Sequence, residues 1–268
     1  MATQIESVGI GTPGSVNPHT GVVEFNANFG YRNWPLVSAM EKLLPCRVYI
    51  ENDANAAAYG EYIAGAAQGA KYAIAVTLGT GIGAGMVVDG KLFTGFAGSG
   101  MEVGHMIIHP NGHLCGCGNR GCWEQYASAT ALIRRTEAAM AAHPESALHS
   151  VAAKDGTVEG RTAFQAAEQG DAAALAVCRS YVEYLASGAV SLINVLRPEV
   201  VALGGGVAAA PEAVLLEPLR QIAERECFAG HGGRATRIVR AELGNDAGII
   251  GAALLGRTPF LSSGEPGF

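Results

Sequence analysis

One stretch constrains the chain more than any other: His105 to Glu124, HMIIHPNGHLCGCGNRGCWE, where Cys115, Cys117 and Cys122 crowd together beside several histidines. Three thiolates and one imidazole at such spacings suit a single tetrahedral ion, and structural zinc is its natural occupant. His105, His109 and His113 all stand close enough to be the fourth ligand, and spacing alone does not choose among them. A disulfide or three unrelated buried thiols is the plainer alternative. The disulfide is disfavoured because the amino terminus, Met1-Ala2-Thr3-Gln4-Ile5-Glu6, lacks the basic and apolar regions of a secretory signal.

A chain of 268 residues, 49% hydrophobic and 16% charged with 37 glycines, buries a sizeable core and is turn-rich, which excludes a disordered polymer. Its net charge of −6 comes with no basic run, so neither nucleic acid nor an anionic membrane surface is an expected partner. No apolar run approaches membrane-spanning length. The expected setting is the cytoplasm, where Cys46, Cys178 and Cys227 stay reduced, and the expected ligand is a small neutral or anionic molecule.

Short strands alternate with helices along the chain, which specifies an α/β architecture with largely parallel sheets. Residues 7–16, SVGIGTPGSV, read as a strand running into a turn where Gly11, Pro13 and Gly14 let backbone approach a ligand. Gly21 to Trp34 reads as irregular, and Pro35 opens a short helix to Leu44. Arg47 to Ile50 is a buried strand that delivers Glu51, Asn52 and Asp53 to the start of an alanine-rich helix ending near Ala64. Strand ends that meet helix starts are where open α/β sheets bind ligands. Asp53 also suits a helix cap, and that position favours its ionised form.

Tyr72 to Asp89, YAIAVTLGTGIGAGMVVD, has two apolar runs flanking a glycine string. The glycines lead into a second strand instead of a helix, and no lysine follows them, so neither a dinucleotide fold nor a P-loop fits. A β-hairpin remains, whose turn offers the amides of Gly79 and Thr80 and the hydroxyls of Thr77 and Thr80 to phosphate oxygens. Helices are expected over Ala127–Ala142, Thr162–Gln169 and Asp171–Leu196, with Pro144–Gly160 a loop. A strand, Glu199 to Leu203, then ends in Gly204-Gly205-Gly206, where a flat group such as adenosine can lie on backbone, and Pro211 opens a helix to about Cys227. A last strand, Arg237–Ala241, precedes a closing helix to about Leu255, and the tail from Thr258 is expected to be disordered. The two halves meet near Gly69.

Six segments in order, GTPGSV (11–16), ENDANAAAYGE (51–61), TLGTGIGAG (77–85), EVGH (102–105), CGCGNRGCWE (115–124) and LGGGV (203–207), resemble the ROK family of bacterial sugar kinases and sugar-responsive repressors. CWEQYAS, 122–128, is most similar to its glucokinase branch. The resemblance implies an actin and hexokinase type, ribonuclease H-like fold of two lobes: residues 1–70, joined by the terminal helix 246–257, and residues 71–245, with the zinc-binding insertion at 102–124. It implies ATP-dependent phosphorylation of glucose, with fructose, N-acetylmannosamine or N-acetylglucosamine as neighbouring substrates and a non-catalytic sugar sensor as the rival class. Asp53 would be the base. Asn52, Glu102, His105, Glu124 and, more weakly, Asn28 would bind sugar hydroxyls, which call for bidentate carboxylate and amide partners. Thr77, Gly79 and Thr80 would hold phosphates, Gly204, Gly205 and Gly206 the adenosine, and Mg2+ would accompany ATP. By the same resemblance His105 becomes the fourth zinc ligand, with its other ring nitrogen toward sugar, and a homodimer or higher homo-oligomer is implied.

The family's opening Asp-x-Gly-Gly-Thr strand and turn has no match here. The amino-terminal lobe is therefore expected to be incomplete, with a start assigned at an internal methionine. A polypeptide beginning at Met1 is expected to transfer phosphoryl groups weakly or not at all.

Overall fold

Six residues, Ser7–Thr12 (β1), lead through a turn into Ser15–Asn17 (β2), Val22–Asn26 (β3) and Tyr31–Trp34 (β4), in a computed structural model that describes residues 5–26, 29–96, 98–228 and 233–257. Asn28 and the tail from Thr258 lie outside the described residues. β2, β3 and β4 form an antiparallel sheet, so the stretch read as irregular is in fact two strands. Its asparagines masked a cross-strand pattern: Phe25 opposes Arg32, whose guanidinium lies 4.9 Å over the Phe25 ring. Such aromatic pairs are the unit of sheet stabilisation.

Pro35 precedes the short helix Leu36–Glu41 (α1), and Arg47–Asn52 (β5) then runs parallel to β1, with Thr12 opposite Asn52. Asp53–Ala64 (α2) follows without a loop. Its alanines and Gly60 keep one face thin enough for backbone to approach.

The second half begins with the hairpin Tyr72–Leu78 (β6) and Ile82–Val88 (β7), extended by Lys91–Leu92 (β8). Helices Glu124–Ala127 (α3), Ala129–Ala142 (α4), Ala147–Asp155 (α5), Thr162–Glu168 (α6) and Ala172–Leu196 (α7) come next. Val200–Gly204 (β9), Leu216–Glu226 (α8), Arg237–Arg240 (β10) and Ala247–Ala253 (α9) complete the chain. The large sheet has the order β10-β9-β6-β7-β8. β6, β9 and β10 are parallel, whereas β7 and β8 are antiparallel, so the expectation of largely parallel sheets holds only for the crossover-connected strands.

Two local readings are corrected. Residues 147–155 are helical where a loop was expected: Ser146 accepts the Leu148 amide, Leu148 and Val151 are buried, and Gly156 ends the helix at φ 75°. The helix expected from Pro211 begins at Leu216, after a turn.

The main core lies between the large sheet and helices α4 to α8, with Trp123, Phe164, Tyr181 and Leu185 fully buried or nearly so. Each such side chain contributes roughly 1.5–3 kcal/mol by leaving water. Trp123 lies flat over Gly188, where a Cβ would come within 2.0 Å of its ring, and its indole N–H donates to the Tyr184 carbonyl at 2.9 Å. This anchors the residue just before Glu124. Among the described residues no helix is long and apolar enough to cross a membrane.

Candidate active site

The β5–α2 junction places the first two site residues. Asn52 is the helix cap, accepting the amides of Ala54 (2.9 Å) and Asn55 (3.2 Å), and its Nδ2 donates to the Gly14 carbonyl at 3.2 Å. Capping is thus the role of Asn52, not of Asp53 as the sequence allowed. Asn52 keeps one amide hydrogen for a ligand. Asp53 is exposed in the first turn, and one carboxylate oxygen accepts the Ala54 amide at 2.9 Å.

Glu51, one residue earlier, is 1% exposed and accepts the Asn52 amide (2.8 Å) and the Asn55 side-chain amide (3.0 Å). Burial outweighs these bonds and pushes its carboxyl up to about 7.

The hairpin glycines bring α2 onto the large sheet. Gly83 and Gly85 lie within β7 and not in the turn, where a Cβ would sit 2.9 Å from the Ala54 methyl and 2.6 Å from that of Ala58. The turn proper is only 79–81. That contact sets the amino end of α2, where Asp53 precedes Ala54, beside Gly83 near the start of β7.

Glu102 precedes, and His105 ends, a short 3-10 turn over Val103–His105. The His105 Nε2 lies 4.0 Å from the Glu102 carboxylate, and its Nδ1 is 3.6 Å from the Cys115 sulfur. Burial raises the Glu102 carboxyl, His105 opposes that, and Asp53 and Glu124 raise it further as like charges. Asp53, Glu102, His105 and Glu124 therefore form one electrostatic group. Glu124 lies at the start of α3; its Oε2 accepts the Ile82 amide at 3.2 Å, and its Oε1 is 3.5 Å from the Cys115 sulfur.

The ligating atoms of His105, Cys115, Cys117 and Cys122 all lie within 4.8 Å of one another, with 3.6 Å between the sulfurs of Cys117 and Cys122. Zn–S bonds of about 2.3 Å put tetrahedral sulfurs roughly 3.8 Å apart, so the donor set fits that ion. His109 and His113 are engaged elsewhere, against the Tyr126 ring at centroid distances of 5.4 and 5.2 Å.

The proposed phosphate and adenosine residues are neighbours across the sheet: Thr77 pairs with Gly204 in the β6–β9 register. Gly205, at φ 85°, packs so closely on Leu78 that a Cβ would meet its carbonyl oxygen at 2.5 Å. Gly205 and Gly206 are exposed. Two of the groups expected to face phosphate are already engaged, the Gly79 amide with the Gly81 carbonyl (3.1 Å) and the Thr77 hydroxyl with the Gly83 carbonyl (3.2 Å). Thr80 remains exposed at the turn, and its carbonyl accepts from Thr130 at 2.8 Å.

A cleft of about 360 Å³ opens beside this turn, lined in part by Thr80, Gly81, Glu124, Ser128, Thr130 and Arg134. Ser128, Thr130 and Arg134 were not singled out from sequence. The only signal for them was Ser128 as a cap residue ahead of an apolar helix, a pattern too common to mark a site.

The family profile described as ROK family matches residues 1–258. The glucokinase of Streptomyces coelicolor is 39% identical over 259 residues, which cover 96% of this chain and 81% of the relative. The crystal structure of a ROK family glucokinase from Streptomyces griseus, in complex with glucose and AMPPNP, matches with a TM-score of 0.84 and 39% identity, over 96% of this chain and 83% of that one. The xylose repressor of Bacillus subtilis is 31% identical over 244 residues, 91% of this chain and 59% of the repressor.

Proposed function

The chain belongs to the ROK family, with its actin and hexokinase type of fold, and on that premise we propose that it is an ATP-dependent hexose kinase that converts glucose to glucose 6-phosphate. The single observation that carries the mechanism is the exposed Asp53 carboxylate at the amino end of α2, grouped with Glu102, His105 and Glu124. In the proposed step the sugar's 6-hydroxyl oxygen bonds to the γ-phosphorus as the bond to the ADP oxygen breaks, and the hydroxyl proton passes to Asp53. Phosphoryl transfer needs chiefly alignment and charge neutralisation, so Asp53 acts mainly by orienting the nucleophile.

Asn52, Glu102, His105 and Glu124 are proposed to hold the remaining hydroxyls. Thr80 and the turn face the phosphates, and the exposed Gly205 and Gly206 backbone takes the adenosine. Magnesium bound with ATP supplies positive charge against the phosphates. Zinc, held by His105 and the three thiolates, would supply orientation and no chemistry: with His105 Nδ1 turned to sulfur, Nε2 faces Glu102 and the sugar side.

The same reading assigns residues 1–70 with helix 246–257 to one lobe and 71–245 to the other. α9 supports this by packing on α2 and β1, where a Cβ at Gly60 would meet the Ala247 carbonyl oxygen at 2.2 Å, and where Gly9 abuts Ala252. Homodimerisation and a cytoplasmic setting in carbohydrate metabolism extend the family membership. The test is a coupled ADP assay with glucose, fructose, N-acetylmannosamine and N-acetylglucosamine. Turnover with glucose is expected from the chain carrying the residues encoded immediately upstream of Met1, and weak turnover or none from the 268 residues alone; sugar binding with no turnover on any hexose by either would favour a sugar sensor.

A further inference from the structure

An acid stands in the last turn of α2 where local physics argues against one. Unpaired carbonyls gather at a helix carboxyl end, and a negative charge there is disfavoured by about 0.3–1 kcal/mol. Glu61 is nevertheless only 1% exposed. Its Oε2 accepts the amides of Ala66 (2.9 Å) and Glu242 (3.1 Å), and its Oε1 accepts that of Leu243 (2.8 Å). Three backbone amides thus satisfy both carboxyl oxygens of this buried side chain.

The donors come from two separate places. Ala66 lies where the chain leaves α2 for β6, and Glu242 and Leu243 where it returns from β10 to α9. These are the two crossings between the proposed lobes, brought to one carboxylate from 181 and 182 residues apart. Glycine clears the space: a Cβ at Gly65 would fall 2.1 Å from Glu61 Oε2.

We propose that Glu61 is a positioning residue for phosphoryl transfer, pinning both interlobe crossings to the carboxyl end of α2 and thereby fixing the tilt of the helix whose other end carries Asp53. The inference rests on the kinase reading. Asp53 stands about 12 Å up the helix from Glu61 at 1.5 Å per residue, so a tilt of about 5° at the pin displaces it by about 1 Å. A misplacement of that size costs on the order of a hundredfold in rate.

The test compares Glu61→Gln and Glu61→Ala with an unsubstituted parent, all three carrying the residues encoded immediately upstream of Met1, by steady-state kinetics and by hydrogen exchange. Glutamine preserves shape but presents an NH2 to backbone donors. Both variants are expected to lose tenfold or more in kcat while the KM for glucose moves less than threefold. Exchange at residues 66–70 and 241–244 is expected to rise together, with the first turn of α2 still protected. A kcat within twofold of the parent, or a loss matched by the unfolded fraction, would overturn the positioning role. Deprotection of one crossing alone would overturn the pin. No glucose-dependent ADP release by the parent would instead refute the kinase reading, and the exchange result would still decide whether Glu61 joins the crossings.

Discussion

The Oε1 of Glu124 lies 3.5 Å from the sulfur of Cys115, while its Oε2 accepts the Ile82 amide at 3.2 Å. One carboxylate thus joins the thiol cluster to the turn of the β6–β7 hairpin. Disturbing the cluster should therefore be felt at the proposed sugar site rather than in the core.

If the proposed zinc is bound, its chelation, or Cys122→Ser, is expected to raise the KM for glucose on the order of tenfold, since removing the partners that orient a ligand-binding residue costs 10- to 100-fold. The KM for ATP should change little. Titration calorimetry with glucose before and after chelation checks this, and unchanged glucose affinity in demonstrably zinc-free protein would contradict it.

Gly205→Ala is expected to act on the proposed nucleotide site alone. The residue sits at φ 85°, where an L side chain is strained, and a Cβ would come 2.5 Å from the Leu78 carbonyl oxygen. Displacing that backbone should raise the KM for ATP about tenfold, or about 1.4 kcal/mol, with glucose binding retained. Equal losses for both substrates would show general unfolding instead.

Gly188→Ala tests the core beneath the site. The added methyl would lie 2.0 Å from the ring of Trp123, which is fully buried and precedes Glu124. Overpacking of this kind costs about 1–3 kcal/mol. A drop of several degrees in Tm is expected by calorimetry, and Trp123→Phe in the same chain should recover part of it.

Glu51 makes stability depend on pH in an unusual direction. Its carboxyl rises from 4.5 to about 7 on folding because of burial, so the folded chain holds the proton more tightly. This contribution is fully present below pH 4.5 and is lost as pH rises through 7, by up to about 3 kcal/mol at 1.36 kcal/mol per unit. Glu51→Gln should therefore gain stability relative to the parent between pH 5 and pH 8, read as the difference in denaturation midpoint. A difference independent of pH would show that Glu51 is ionised in the folded chain at pH 5.

Much of this site was legible because its residues sit at places where local rules are strong. A β-branched strand running into alanines marked the junction at Asn52 and Asp53, and the three cysteines are readable as a cluster from spacing, whereas the choice of His105 among three histidines came from the family resemblance. What failed was governed by distant partners. The glycine string between the two apolar runs is only in part a turn: Gly83 and Gly85 lie in β7, where α2 packs against them. Val22 to Trp34 hid two strands whose pairing depends on each other, and no periodicity within five residues reveals that. Glu61 closes the ENDANAAAYGE segment, but nothing local reveals its role, since its donors at Glu242 and Leu243 are more than 180 residues away.

The most direct measurement is glucose-dependent ADP release by this chain, and by one carrying the residues encoded immediately upstream, each compared with Asp53→Asn. Turnover that falls at least a hundredfold in Asp53→Asn, with glucose binding within threefold of the parent, is the predicted result. Undiminished turnover in Asp53→Asn, or no turnover by either chain in saturating glucose and ATP, would contradict the assignment of Asp53 and of the reaction respectively.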